Sequence, residues 1–158
     1  MTEMFEKGQN SEMMKFKGKV SWVRGVQPNK FDRWSLNLHP DATSLEVIRD
    51  LQAEGVKNVI KKDEDGYYLQ ISRPTTVEMR KGYKQPVTPP ILRREDGSSL
   101  EGVAIGNGSD AVVTCEVYSH PVPNSEKRAK AMRWYALDVV DLIPFDRPED
   151  NAWNGQTS

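Results

Sequence analysis

KFKGKVSWVRGVQPNKFDRWSLNL, residues 15–38, reads as two strands joined by a turn. In the first arm Phe16, Val20 and Trp22 share one face while Lys17, Lys19 and Ser21 share the other, the two-residue period of a half-buried strand. Gln27-Pro28-Asn29 then reverses the chain, and Trp34, Leu36 and Leu38 alternate with Arg33, Ser35 and Asn37. The pair is antiparallel, apolar on its inner face and polar to basic on its outer one. The rest of the chain is read outward from it.

Downstream, Thr43 and Ser44 are placed to cap a helix in which Leu45, Ile48 and Leu51 recur every three residues before Gly55 ends the pattern. Asp63-Glu64-Asp65-Gly66 forms a turn, after which Tyr67, Leu69 and Ile71 alternate with Tyr68, Gln70 and Ser72 in a third strand. Residues 74–100 lose periodicity: Pro86, Pro89 and Pro90 exclude a central strand, and Arg80, Lys81, Lys84, Arg93 and Arg94 make the segment a long basic surface loop. Gly106-Asn107-Gly108-Ser109 is a turn before an apolar strand over residues 111–119, and a last strand covers residues 131–145. Five short antiparallel strands with one inserted helix predict an all-β protein, a five-stranded barrel. The barrel domain spans residues 15–145, between a flexible segment at 1–14 and a flexible acidic tail at 146–158.

The 158 residues are the size of one domain. No apolar run approaches membrane-spanning length, and residues 1–14 lack the basic-then-apolar order of a secretion signal, so an intracellular protein without membrane contact is expected. The lone Cys115 lies in an apolar strand and reads as core filling. With only His39 and His120 beside it, the ligands of a closed structural zinc site are missing, and no metal or cofactor is expected. The net charge of −1 conceals a segregation: residues 15–135 carry 20 bases and 15 acids, whereas residues 136–158 carry one base and five acids. A basic body of this kind suits a polyanion.

Catalytic signatures are weak. The glycine group lacks the lysine of a phosphate-binding loop and precedes a strand instead of a helix. Each histidine precedes a proline in a strand-end turn and has no nucleophile beside it. Asp138 and Asp141, three residues apart on a strand, point to opposite faces, which disfavours a metal-dependent nuclease. An enzyme is therefore not expected. What the sequence does offer is bases interleaved with rings: Arg33 with Trp34, Tyr68 before Arg73, Arg80 and Lys81 before Tyr83 and Lys84, Arg133 before Trp134 and Tyr135. Single-stranded nucleic acid stacks its exposed bases on aromatic faces and needs cations along its phosphates. Trp22, Trp34 and Tyr67 share a face with aliphatic residues and read first as core, whereas Tyr68 and Tyr83 read as stacking rings.

Lys15-Phe16-Lys17-Gly18-Lys19-Val20, Gly66-Tyr67-Tyr68 with Ser72-Arg73-Pro74, Pro89-Pro90, Ile105-Gly106-Asn107-Gly108-Ser109 and Ala136-Leu137-Asp138-Val139-Val140-Asp141-Leu142 together resemble bacteriophage single-stranded DNA-binding proteins of the oligonucleotide-binding (OB) fold. The resemblance covers about residues 15–145. It implies a barrel that coats single-stranded DNA in phage replication and recombination, in the cytoplasm of an infected bacterium, without reading its sequence. It also implies an acidic tail that contacts phage or host replication proteins and occupies the groove when DNA is absent. The tail departs from the family pattern: it carries only Asp146, Glu149 and Asp150 and ends in Asn154-Gly155-Gln156-Thr157-Ser158 without a terminal aromatic residue. The DNA-binding residues expected are Lys17, Lys19, Arg33, Trp34, Tyr68, Arg73, Arg80, Lys81, Tyr83 and Lys84, with Arg133 and Tyr135 as additions. The alternative is a β-barrel that uses the basic loop to bind a protein.

Overall fold

The computed structural model describes residues 11–78, 82–101, 103–122 and 124–143. In chain order these form β1 (Ser11–Arg24), β2 (Arg33–Pro40), α1 (Ala42–Ala53), β3 (Lys61–Asp63), β4 (Gly66–Pro74), β5 (Thr76–Glu78), β6 (Lys84–Pro86), β7 (Ile91–Arg94), β8 (Ser109–Pro121) and β9 (Arg128–Asp141). Seven strands make one sheet in the order β3-β4-β2-β1-β8-β9-β7, and β5 and β6 pair separately as a hairpin. The described residues are all-β with one helix, as the alternating pattern requires.

The two ladders of β1 meet at Gly18. Along its first part β1 pairs with β8, along its last part with β2, and Gly18 stands opposite both Ala111 and Pro40. A Cβ at this position would lie 2.1 Å from the main-chain oxygen of His39, so only glycine lets the two ladders share the strand. The inward residues of both halves, Phe16, Val20, Leu36, Leu38, Leu69, Ile71, Val113, Cys115, Trp134 and Leu137, fill one core with Ile48 and Leu51 of α1. Each such side chain contributes roughly 1.5–3 kcal/mol by leaving water.

Several expectations are corrected. Strand β1 begins at Ser11, inside the segment expected to be flexible, because Ser11 to Met14 find partners in Tyr118 to Cys115. The helix cap is Asp41, whose carboxylate accepts the Ser44 N–H at 2.8 Å. The Ser44 hydroxyl instead accepts the Lys17 N–H at 2.9 Å, tying the helix to β1. The stretch after Pro74 is not one loop. Its prolines fall at strand ends, leaving room for the β5-β6 hairpin and for β7, which pairs in parallel with β9 from Ala136↔Ile91 to Val139↔Arg94. The sheet is thus not wholly antiparallel.

The expected closed barrel is not reached among the described residues: β4 and β9 have no ladder between them. Arg73 spans the gap, with Nη1 donating to the Trp134 carbonyl at 3.2 Å and Nε to that of Thr88 at 2.6 Å. No helix of the described residues is long and apolar enough to cross a membrane. The expected tail over 146–158 lies outside them.

Cys115 is fully buried, and the loss of water around its thiol pushes the pKa far above the ordinary thiol value. A thiol reagent such as DTNB is therefore expected to leave the native protein unmodified at neutral pH and to label one thiol on unfolding in guanidinium. Rapid labelling of the native state would show that the core between β1 and β9 is open.

Candidate nucleic-acid interface

The outer face of β1, β2 and β4 is laid out by register. Ser21, Asn37 and Gln70 stand side by side as one row. On one flank lies Lys19 beside His39, whose ring sits 5.3 Å from that of Tyr68. On the other flank Arg24 pairs with Ser35, and Ser35 with Ser72. Alternation puts these residues outward and Leu36, Leu38, Leu69 and Ile71 inward.

The regular period breaks once, at Trp22. Between Ser21 and Arg24 β1 advances three residues while β2 advances two, from Asn37 to Ser35. This is a β-bulge, and Trp22 adopts a φ of 52°, which few non-glycine residues accept. The Trp22 N–H donates to Asn107 Oδ1 at 2.9 Å, and the Gly108 N–H donates to the Val20 carbonyl at 2.8 Å. The turn 106–108 thus holds the bulge from a distance of 85 residues in sequence. As a result the indole is 61% exposed. Phe31, in the β1–β2 connection, is 71% exposed, with Lys30 Nζ 5.2 Å from its ring centre.

Three clefts run into one another across this face. The first is lined by Lys19, Trp22, His39, Asp63 and Asn107, the second by Trp22, Arg24, Lys30 and Phe31, the third by Arg33, Lys57, Lys61 and Tyr68. Asn37 borders all three. Among the described residues, Arg24, Lys30, Arg33, Lys57 and Lys61 take part in no ion pair, and Arg33 Nε donates only to the Ser72 hydroxyl at 2.9 Å. The trough therefore presents unneutralised cations beside exposed rings.

One corner differs. His39 Nε2 lies 3.1 and 3.2 Å from the two carboxylate oxygens of Asp63, whose Oδ1 also accepts the Asp65 N–H at 2.8 Å. Desolvation, the largest single influence on the Asp63 carboxyl, would raise its pKa, but the hydrogen bonds from His39, Asp65 and Gly66 and the His39 charge together outweigh it, so the carboxyl titrates below its ordinary value. Ligand atoms of His39, Asp63 and Asp65 all come within 4.8 Å of one another, a grouping that His39-Pro40 in a turn gave no reason to expect.

The residues singled out from sequence divide. Arg33 and Tyr68 line the trough, and Lys19 does so while paired with Asp110 at 2.9 Å. Tyr83 is 65% exposed beside Lys84 on the β5-β6 hairpin, whose base is tied to the trough's end by the Thr75 N–H on the Asp32 carbonyl. Arg80 and Lys81 lie outside the described residues. Lys17 is exposed next to the helix start, away from the clefts.

Trp34 and Arg73 are buried at 7% and 6% exposure, Trp34 in the core and Arg73 in the gap between β4 and β9. Neither is open to a strand lying in the trough. Burial, with the Arg133 charge adding to it, lowers the Arg73 pKa against the opposing pull of Glu116 and Tyr135. Arg133 is held by Glu116 at 2.9 Å, and Tyr135 lies under the Arg73 guanidinium at 5.9 Å. Two rings read as core are exposed: Trp22, turned out by the bulge, and Tyr67, flanked by Arg49 and Lys62.

Arg24, Lys30, Phe31, Lys57 and Lys61 line the trough without being among the residues expected from sequence; Phe31, which the sequence reading sets at the start of the strand over residues 31–38, lies in the turn before a strand that begins at Arg33. The nuclease alternative finds no support: a register shift between Val139 and Asp141 sets Asp138 and Asp141 on one face, contrary to the expected alternation, but Asp138 is engaged by Arg93. The basic-loop alternative loses its premise, since that segment is a hairpin and a sheet strand.

No protein-family model matches the chain, and no curated protein matches it in sequence. Solved structures do. The crystal structure of gp2.5, a single-stranded DNA-binding protein encoded by bacteriophage T7, superposes with a TM-score of 0.61 at 12% identity, over 94% of this chain and 99% of that one. The single-stranded DNA-binding protein of bacteriophage Enc34 gives 0.54 at 15% identity, over 92% and 87%. The same phage protein in complex with single-stranded DNA gives 0.51 at 10% identity, over 84% and 89%. The seven-stranded sheet and its helix thus share the fold of these solved phage single-stranded DNA-binding proteins.

Proposed function

We propose that this protein binds single-stranded DNA without sequence preference, coating it during phage replication or recombination, and carries out no catalytic step. The observation that carries this reading is the trough across β1, β2 and β4, where, among the described residues, Arg24, Lys30, Arg33, Lys57 and Lys61 take part in no ion pair and stand beside Trp22, Phe31 and Tyr68. Stacking accepts any base, and the cations neutralise phosphates whatever the bases are. The likeness of fold to proteins named for the same ligand supports it.

Fluorescence anisotropy with a labelled dT oligomer and a duplex of equal length tests the proposal. Binding is expected for the oligomer and not for the duplex, with log affinity falling against log salt by about 0.7 per phosphate neutralised, hence by about 3.5 when all five cations engage. A salt-independent affinity, or equal affinity for the duplex, would overturn it.

A further inference from the structure

The middle row of the trough carries no charge. Ser21, Asn37 and Gln70 face outward in register, and the cations stand in the flanking rows or on the loops beside them. Among the described residues neither the Asn37 nor the Gln70 carboxamide has a side-chain hydrogen bond; Asn58 Nδ2, at 2.8 Å, is bonded to the main-chain carbonyl of Gln70. Two amides without a side-chain partner thus stand at the centre of the site, Asn37 bordering all three clefts and Gln70 two of them.

We propose that Asn37 and Gln70 form a base-edge station, hydrogen-bonding the Watson–Crick edge of an unpaired base held between the Trp22–Phe31 side and the His39–Tyr68 side of the trough. The inference rests on the single-strand reading above and says how that strand is told from a duplex. A carboxamide offers two donors and an acceptor with two lone pairs. Every base has a donor beside an acceptor on its pairing edge, so an amide fits each of them by rotating its terminal group. Directly opposed residues of neighbouring strands lie about 5 Å apart, which lets both amides reach one edge. In a duplex that edge is already occupied. The station therefore excludes paired DNA while remaining blind to sequence.

The test compares a dT oligomer with one built from N3-methylthymidine, which keeps the phosphates and the stacking face but loses the N3 donor and crowds the edge. The wild-type protein is expected to bind the methylated oligomer roughly tenfold more weakly, about the worth of two hydrogen bonds. N37A/Q70A is expected to bind dT roughly tenfold more weakly than the wild type and to treat the two oligomers alike. Q70A alone, at an exposed position, provides the same comparison should the double variant not fold. Equal wild-type affinity for both oligomers would overturn the station while leaving single-strand binding intact, as would a double variant that still discriminates. Failure of the wild type to bind dT at all would sink both proposals together.

Discussion

Arg73→Ala is expected to destabilise the protein by about 3 kcal/mol while leaving the affinity of the folded protein for single-stranded DNA unchanged. Its guanidinium donates to Thr88 O at 2.6 Å, Trp134 O at 3.2 Å and Thr88 Oγ1 at 3.2 Å, in a site only 6% exposed. Truncation leaves the buried Trp134 carbonyl without a donor at roughly 1–3 kcal/mol and removes the packing of a buried side chain, whereas the acceptors of exposed Thr88 regain water. Among the described residues no other hydrogen bond links β4 to β9 in place of the one that Arg73 Nη1 makes. Urea denaturation followed by tryptophan fluorescence reads the loss, and a thermal midpoint lower by about 10 °C should accompany it. If Arg73 contacted phosphate, the outcome would be reversed: unchanged stability, weaker binding, and a salt slope shallower by about 0.7.

Trp22→Gly is expected to separate binding from stability. Removing the indole costs the stacking of one base, roughly 1–3 kcal/mol, a loss of about 5- to 150-fold in affinity for a dT oligomer. The same change relieves a backbone that holds a tryptophan at φ 52°, a conformation worth roughly 1–3 kcal/mol of strain, so the urea midpoint should not fall. Trp22→Ala removes the ring but keeps the strained backbone, and should show the binding loss without the relief. An affinity within twofold of wild type in both variants would remove Trp22 from the interface. A binding loss accompanied by an equal loss of stability would mark the residue as structural.

Much of the fold was legible because strand alternation is local. Trp34, Leu36 and Leu38 point inward for the reason their spacing states, and Arg33, Tyr68 and Gln70 point outward for the same reason. The helix is legible from Ile48 and Leu51, but its cap is not, since Asp41, Thr43 and Ser44 are all competent caps and only the contact of Ser44 with Lys17 decides between them. The site was legible in kind, as bases among rings, and only partly in its members. A rule of two assigns Trp22 to the face of Val20, and one inserted residue overturns it. Arg73 shares the face of Leu69 and Ile71, which alternation did show, but no local feature reveals that a carbonyl of β9 waits there to accept its proton.

By itself, then, the sequence determined an all-β chain with one helix, the inward faces of β2 and of Leu69 and Ile71 in β4, and an outer face on which bases alternate with rings. Only the tertiary structure decided that Trp22 faces solvent, that Arg73 closes a gap, that β7 pairs in parallel, and that Lys57, Lys61 and Phe31 join the same trough. The reason is range. Alternation and capping are set by neighbours a few residues away, whereas the Asn107 bond to Trp22 and the Trp134 bond to Arg73 span 85 and 61 residues and exist only once the strands have met.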